Sequence, residues 1–323
     1  MNDDYLWDGS SEPGSADAEV RQLEALLSRY RSAAPMPDFR RVVVMRRRRW
    51  PLAVAAAAII AVVLGLAWFL RPRTSEWKAT AIAGATSLPD RPLRIGDVLH
   101  TDSTSRIRLE SRSVGTIDVD GTSTIRLIES RKGRQRIALD VGVIHARTMS
   151  PPGVFVVDTP QARAIDLGCE YVLAIAPGGS GELRVTSGWV DLSDGLWQSL
   201  VPQGASASIS AGGRISVPVF DDADPRFRAA VQNFERAHDL NTILALSRKH
   251  DAFTLLNLFR LATPDEASHL YDRLNELVPA PLPVRREAVR NWTPSATELW
   301  WRPVLAASGL GEIRKKKGML DGL

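Results

Sequence analysis

The residues best suited to catalysis or metal binding are five histidines and one cysteine, and they are scattered along the chain. The histidines fall in different expected strands and helices, without a second candidate ligand at hairpin or helical spacing: His100, His145, His238, His250 and His269. The sequence also lacks a phosphate-binding glycine loop, a Gly-x-Ser-x-Gly elbow and a His-Glu-x-x-His pair. We therefore expect no catalytic residue, no metal site, no cofactor and no enzymatic activity.

Cys169 is the only cysteine, so the chain cannot form an intrachain disulfide. Its neighbours Leu167, Gly168 and Val172 are typical of a packed strand. A reactive thiol needs electropositive and accessible surroundings, which these residues do not supply. The sequence therefore predicts a buried structural cysteine.

An uncharged stretch of 21 residues, from Trp50 to Leu70, separates a short N-terminal segment from the rest of the chain. As a helix it would be about 30 Å long, the thickness of a bilayer's hydrocarbon core. A buried core helix of this length would carry a polar face, and a signal peptide would have a shorter apolar stretch and a small-residue cleavage site. We predict a single membrane-spanning helix over residues 50–70.

Charge sets the expected orientation of that helix. Six arginines lie between positions 40 and 49, whereas the C-terminal flank offers only Arg71, Arg73 and Lys78. The positive-inside tendency places the N-terminus in the cytoplasm and the residues after about Thr74 outside. The arginine flanks also account for the net charge of +4, so we expect no nucleic-acid partner.

Residues 1–49 are the expected cytoplasmic segment, with one amphipathic helix from about residue 17 to residue 31. Its apolar residues fall at helical spacing and form the candidate partner-binding surface: Val20, Leu23, Leu26, Leu27 and Tyr30. One helix cannot bury its own apolar stripe, so it must lie on the membrane, pair with itself or bind another protein, unless it frays without a partner. The segment has no His or Cys, which excludes a zinc site of the usual type.

Residues 71–87 are predicted to form a linker, and residues 88–220 an all-β domain. Short runs of alternating apolar residues, broken by turn residues about every ten positions, indicate a sandwich, barrel or solenoid. The expected strands cover 107–109, 115–119, 125–127, 135–140, 142–147, 154–159, 162–166, 170–176, 182–186, 188–193, 197–201 and 205–209. Gly142, Gly168 and Gly188 are expected where strands turn or approach each other closely.

Residues 221–323 are predicted to form a small all-α domain with a disordered tail. The clearest local signal is Thr263-Pro264-Asp265-Glu266, an N-cap threonine with proline at the first helical position and a glutamate that completes a capping box. Shorter helices are expected over 284–290 and 296–301. We expect Trp292, Trp300 and Trp301 to pack in the core, with a binding role as the alternative. The basic run 314–317 is expected to be solvated, with attraction to anionic lipid as the alternative.

Five ordered segments of the β region carry a resemblance to a known family. They are IGDVLHT at 95–101, LDVGVIHA at 139–146, FVVDTP at 155–160, AIDLGCEYV at 164–172 and VTSGWV at 185–190. Together they resemble the FecR-type domain, a β-rich extracytoplasmic module of bacterial membrane proteins. The family usually has Gly-Thr, and Phe two residues later, where this chain has Gly168-Cys169 and Tyr171.

The resemblance implies a regulator in the bacterial inner (cytoplasmic) membrane, with a periplasmic β domain that receives a signal from the envelope, for example from an outer-envelope protein. The N-terminal helix would then contact a sigma factor of the extracytoplasmic-function class, as an anti-sigma segment does. The alternative is a membrane-anchored envelope scaffold or binding module without anti-sigma activity, which would account for the large outer portion.

Overall fold

The computed structural model describes residues 18–30, 76–84, 88–89, 91–290 and 294–310. The chain divides into two compact units at residue 70, and we describe each by itself. The predicted membrane-spanning helix over 50–70, Trp292 and the basic run 314–317 lie outside the described residues. Within the described ranges, no helix combines the length and the apolar character needed to cross a membrane.

The described part of the first unit is a single helix, α1 (Ala18–Leu27), which a short 3₁₀ turn extends over Ser28–Tyr30. This agrees with the predicted helix from about 17 to 31, whose two end residues are not described. The helix exists where Leu, Ala, Glu, Gln and Arg, all good helix formers, dominate the sequence.

The second unit is built on two β-sheets that share one strand. The strands are β1 (Lys78–Ala83), β2 (Val98–His100), β3 (Arg106–Ser111), β4 (Gly115–Val119), β5 (Thr124–Arg131), β6 (Arg134–Thr148), β7 (Phe155–Asp158), β8 (Arg163–Asp166), β9 (Glu170–Ile175), β10 (Gly181–Ser187), β11 (Trp189–Ser193), β12 (Gln198–Pro202), β13 (Ala205–Ile209) and β14 (Val219–Phe220). Sheet I has the order β1-β3-β4-β6-β9-β10-β13-β14, and sheet II has the order β2-β5-β6-β7-β8-β11-β12. The described pairings are antiparallel except for β6 with β7.

The strand β6 passes from sheet II into sheet I at Gly142. Residues before this glycine pair with β5 and β7, and residues from it onward pair with β9 and then β4. Gly142 has φ +110°, and the Val143 N–H next to it donates to the Ser123 hydroxyl at 3.1 Å. The prediction of two separate strands over 135–140 and 142–147 was wrong, because glycine lets the chain bend here while the ladder continues.

The alternation predicted for the strands is present and builds one core between the sheets. Phe155 and Val157 of β7 and Leu173 of β9 are fully buried, while their sequence neighbours are partly exposed.

The prediction of a linker over residues 71–87 was also wrong, because residues 78–83 form β1 and pair with β3. Trp77, just before β1, is fully buried, and its indole N–H donates to Gln135 Oε1 at 3.0 Å. The sequence also did not predict the short strands β2 and β14, since two or three residues show too little alternation to detect.

The helices of the second unit follow β14. They are α2 (Pro225–Gln232), α3 (Phe234–Ala237), α4 (Leu240–Leu246), α5 (Ala252–Leu258), α6 (Pro264–Leu277), α7 (Arg286–Arg290), α8 (Pro294–Thr297) and α9 (Trp301–Ala307), with 3₁₀ turns at Lys249–Asp251 and Glu298–Trp300. The predicted capping box at the start of α6 is confirmed, with both of its reciprocal hydrogen bonds. The expected helix over 296–301 is instead split by a 3₁₀ turn and resumes as α9.

Buried side chains of these helices continue the core of the β-sheets. Trp300 is fully buried, as predicted, and its indole N–H donates to the Val278 carbonyl at 3.0 Å. Phe253 of α5 meets Trp189 of β11 edge to face, with ring centroids 5.9 Å apart. The β and α regions that the sequence separates at residue 220 therefore share one hydrophobic core.

We predict that Gly142→Ala destabilises the protein by about 3 kcal/mol or more, because it adds a steric clash to the cost of a positive φ. A Cβ at this position would lie 2.0 Å from the Ser123 hydroxyl oxygen and 2.5 Å from the Ser123 Cα. Gly133→Ala is the matched control: φ is +75° there, but no atom lies within 4 Å, so a loss of only about 1 kcal/mol is expected. Urea unfolding followed by circular dichroism measures both. Equal losses would contradict the proposed role of the bend.

Candidate functional site

The predicted partner-binding residues lie on α1 and, for Tyr30, in the 3₁₀ turn that extends it, and four of their side chains are solvent-exposed. The exposed fractions are 61% for Leu23, 60% for Leu26, 57% for Leu27 and 85% for Tyr30. Spacings of three and four residues place these four on one side of the helix. Val20 is in the same helix, although its side chain is outside the described part. The structure therefore places this stripe together, and its role as a binding surface stays a prediction.

The predicted structural cysteine is buried in a small polar cluster inside the β region. Cys169 is 4% exposed, and its thiol donates to Asp166 Oδ1 at 3.2 Å. Asp166 is fully buried and also accepts hydrogen bonds from the Thr148 hydroxyl and the Gly168 N–H. Burial raises the pKa of the Cys169 thiol far above its usual range, and the nearby Asp166 carboxylate raises it further. A thiol held protonated in this way is a poor nucleophile.

This cluster secures the turn that carries the chain from sheet II to sheet I. Asp166 ends β8, and β9 begins at Glu170. Gly188 packs against the same turn, because a Cβ there would lie 2.4 Å from the Gly168 carbonyl oxygen. The predicted close approach of strands at these glycines is therefore present. The segment AIDLGCEYV, one of the five segments that resemble the FecR-type domain, forms this turn, and its Asp166, Gly168 and Cys169 hold the turn together.

Three of the histidines contact carboxylates, and His100 contacts the Thr124 hydroxyl. His145 Nε2 lies 2.9 Å from Asp120 Oδ2, and His238 Nδ1 lies 2.8 Å from Glu266 Oε1. In the part of the chain that is described, no group of three or more His, Cys, Asp and Glu residues is placed to hold a metal ion. These contacts are therefore separate pairs rather than one site.

The junction between sheet II and the helices contains two desolvated charged groups that sequence reasoning missed. The guanidinium of Arg260, a half-buried residue two positions after α5, donates to the Gln198 carbonyl of β12. Its Nε is buried without a hydrogen-bond partner, and desolvation lowers the pKa of Arg260 to about 10. Together with the contact between Trp189 and Phe253, this brings the segment from α5 to Arg260 against β11 and β12. Nothing in the local sequence around Arg260 marks its guanidinium as partly buried.

Asp191 of β11 is the other desolvated charged group, and it is more deeply buried. It is 9% exposed, and its Oδ1 has no hydrogen-bond partner. Its register neighbours are Ile165 of β8 and Leu200 of β12, both apolar. Burial raises the pKa of Asp191 to about 6 from the ordinary value of 3.8. A carboxylate kept dry among apolar neighbours costs stability when it is ionised.

Comparison with known proteins gives partial likenesses only. No protein-family model matches the chain, and no curated protein matches it. Two crystal structures of a candidate anti-sigma factor from Parabacteroides distasonis ATCC 8503 are similar to part of it. The first has a TM-score of 0.35 at 14% identity over 39% of this chain and 60% of that chain. The second has a TM-score of 0.30 at 14% identity over 51% of this chain and 75% of that chain.

Likeness of this degree establishes neither a common fold throughout nor a function. The aligned part spans about 60% of the length of the first of those chains. The resemblance to the FecR-type domain, which no family model supports, stays a prediction from the motifs.

We predict that Asp191→Asn stabilises the protein at pH 7 and has little effect at pH 4. The wild-type carboxylate favours the folded state while it is protonated, and this contribution is lost as pH rises from the ordinary pKa of 3.8 through about 6. The difference between the two pKa values corresponds to roughly 3 kcal/mol at neutral pH. Thermal unfolding of both proteins between pH 4 and pH 8 measures the effect. Because other carboxylates also titrate, only the difference between variant and wild type is diagnostic, and a pH-independent difference would refute this account.

Proposed function

We propose that the chain is a membrane-anchored regulator of the FecR type. In this proposal α1 binds a cytoplasmic partner, a sigma factor of the extracytoplasmic-function class, and the second unit receives a signal in the periplasm. The observation that carries the proposal is the exposed apolar stripe of α1. In the sequence, α1 precedes the uncharged segment 50–70, and the large β-rich unit follows it.

The stripe supports binding to a protein because its exposure is costly and its geometry is specific. Burying one leucine side chain contributes about 1.5–3 kcal/mol, so Leu23, Leu26 and Leu27 together supply roughly 4.5–9 kcal/mol toward the cost of association. Residues spaced as these are fit an apolar groove between helices of a partner. The resemblance of the β region to FecR-type domains favours a sigma factor as that partner.

The membrane anchor is supported by the charge pattern around residues 50–70. The arginine-rich N-terminal flank favours a cytoplasmic N-terminus, which places α1 in the compartment where sigma factors act. We propose the bacterial inner membrane, with residues after about 74 in the periplasm. Asp166 and Cys169 take part in the fold of that outer unit, and no enzymatic role is proposed for them.

A scaffold or binding module in the envelope is the second candidate. The shared core of the β and helical regions favours it, because regions packed on one core can present a single surface to another molecule. This candidate assigns no function to α1. A full-length chain that retains no sigma factor, although it is inserted in the membrane, would support the scaffold.

We predict that sigma factors of the cell co-purify with the full-length protein and that Leu23→Glu with Leu27→Glu reduces their retention at least about tenfold, because two charges would enter an apolar groove. Gln22→Glu with Ala25→Glu adds two carboxylates on the other faces of α1 and should retain the partner. Quantitative mass spectrometry of the bound fraction measures retention. Loss in both variants would indicate that charge alone weakens binding, and no retention by the wild type would refute the sigma-factor partner.

We predict that alkaline phosphatase fused at the C-terminus is active and that a fluorescent protein unable to mature in the periplasm is dark at the same position. Replacing Arg46 to Arg49 by serine should lower phosphatase activity severalfold, because it removes most of the positive charge that orients the helix. A matched replacement of Arg71 and Arg73 by serine should leave the orientation unchanged. A bright fluorescent fusion in the wild type would place the second unit in the cytoplasm.

A further inference from the structure

A cleft of about 680 Å³ lies where the β region meets the helices. The turn between β7 and β8, the tip of the hairpin β11–β12, the loop at 212–214, α3 and Leu261 border it. Clefts between packed substructures are where small ligands are usually bound, and this volume lies within the usual range of about 300–1,000 Å³.

The hairpin tip presents two large apolar side chains beside this cleft. Leu196 is 88% exposed and Trp197 is 45% exposed. The Asp194 carboxylate fixes the tip, because its Oδ1 accepts the N–H of Leu196 at 2.9 Å and the N–H of Trp197 at 2.7 Å. These bonds hold the backbone of the tip, and the indole of Trp197 has only two side-chain torsions to restrict when a ligand covers it.

The charged groups that line the cleft are Asp194, Arg214 and Glu235. Arg214 Nη1 lies 2.8 Å from Glu235 Oε2, so these two charges are already paired. Asp194 Oδ1 already accepts two N–H groups of the hairpin tip, and the charge of Asp194 also acts on the nearby Arg260 guanidinium, which is not part of the lining. An anionic ligand would meet two carboxylates, and a cationic ligand would meet the Arg214 guanidinium. The electrostatics therefore favour a neutral ligand.

One neutral polar group remains available in the cleft. The side-chain amide of Gln161 forms no hydrogen bond with any of the described residues, and it can both donate and accept. Gly213 lies against it, since a Cβ there would be 3.0 Å from Gln161 Oε1. The glycine leaves the amide room and lets a ligand approach the backbone closely.

We propose that this cleft binds a neutral oligosaccharide. The apolar C–H face of a sugar ring would stack on Trp197, with Leu196 beside it, and ring hydroxyl or acetamido groups would bond to the Gln161 amide and to the free oxygens of the Asp194 and Glu235 carboxylates. The proposal depends on the proposed function only for the compartment, because wall glycans are available to a periplasmic domain. A glycan bound in this cleft would be either the signal that the second unit receives or the wall component to which the unit is attached.

The test is calorimetric titration of the full-length protein in phosphatidylcholine nanodiscs, which avoid glycoside detergents. The two probes are the tetramer of N-acetylglucosamine and cellotetraose, which differ in their acetamido groups. We expect a Kd of about 1 mM or below for at least one of them. Trp197→Ala and Gln161→Ala should each weaken binding, the former at least about tenfold, whereas Trp197→Phe should keep most of it.

Leu282→Ala is the matched control for Leu196→Ala, because Leu282 is 95% exposed and is not among the residues that line the cleft. It should leave the Kd unchanged, whereas Leu196→Ala should raise it. No detectable binding of either sugar by the wild type would overturn the proposal, and so would binding that survives both Trp197→Ala and Gln161→Ala. Thermal unfolding of each variant verifies folding. These outcomes are independent of sigma-factor retention by α1, so either proposal can fail without the other.

Discussion

The arrangement of the second unit depends on one strand belonging to two sheets. β6 pairs with β5 and β7 before Gly142 and with β9 and β4 after it. If the strand stayed straight, the two sheets could not close on a common core, and the buried faces of both would meet water. The left-handed backbone at Gly142 makes the bend inexpensive, whereas a side chain there would collide with Ser123. The other pairings of both sheets extend outward from this strand.

The helices complete the unit by covering part of sheet II, and they do so at a cost. Burial of Phe253 against Trp189 contributes about 1.5–3 kcal/mol, which is comparable to what the ionised Asp191 costs at neutral pH. Arg260 is half-buried, and its Nε is buried without a hydrogen-bond partner. The apolar surface buried between the helices and sheet II has to offset the free-energy cost of desolvating these two charged groups. The same junction leaves the cleft beside Trp197, where the tip of a rigid hairpin and a glycine loop meet the helical layer.

The two units suit different tasks. α1 offers a narrow apolar stripe that only a partner, a membrane surface or a second copy can bury, which is typical of recognition by a short helix. The second unit offers one packed body with a polar and aromatic cleft, which is typical of ligand recognition. The proposed regulator needs both, because it would join an external ligand to a cytoplasmic partner through the uncharged segment that lies between the two units in the sequence.

The sequence by itself predicted much of the secondary structure, because alternation and helical spacing are local properties. The strands around Ile117 and Leu173, the capping box at Thr263 and the exposed stripe of α1 all follow from residues within one element. Burial of Cys169 also followed from its neighbours. The single strand β6 and the short strands β2 and β14 did not, since pairing partners far along the chain decide whether a short or bent segment is a strand.

Only the tertiary structure decided which polar groups lost contact with water. Asp191 and Arg260 lie in segments that look like ordinary half-exposed sequence, yet Asp191 is 9% exposed and the guanidinium of Arg260 is turned toward the Gln198 carbonyl of β12. The cleft combines Gln161, Trp197 and Glu235 from three distant segments, so no spacing in the sequence could indicate it. Desolvation and the convergence of side chains depend on how elements pack against one another, whereas periodicity records only which face of each element is apolar.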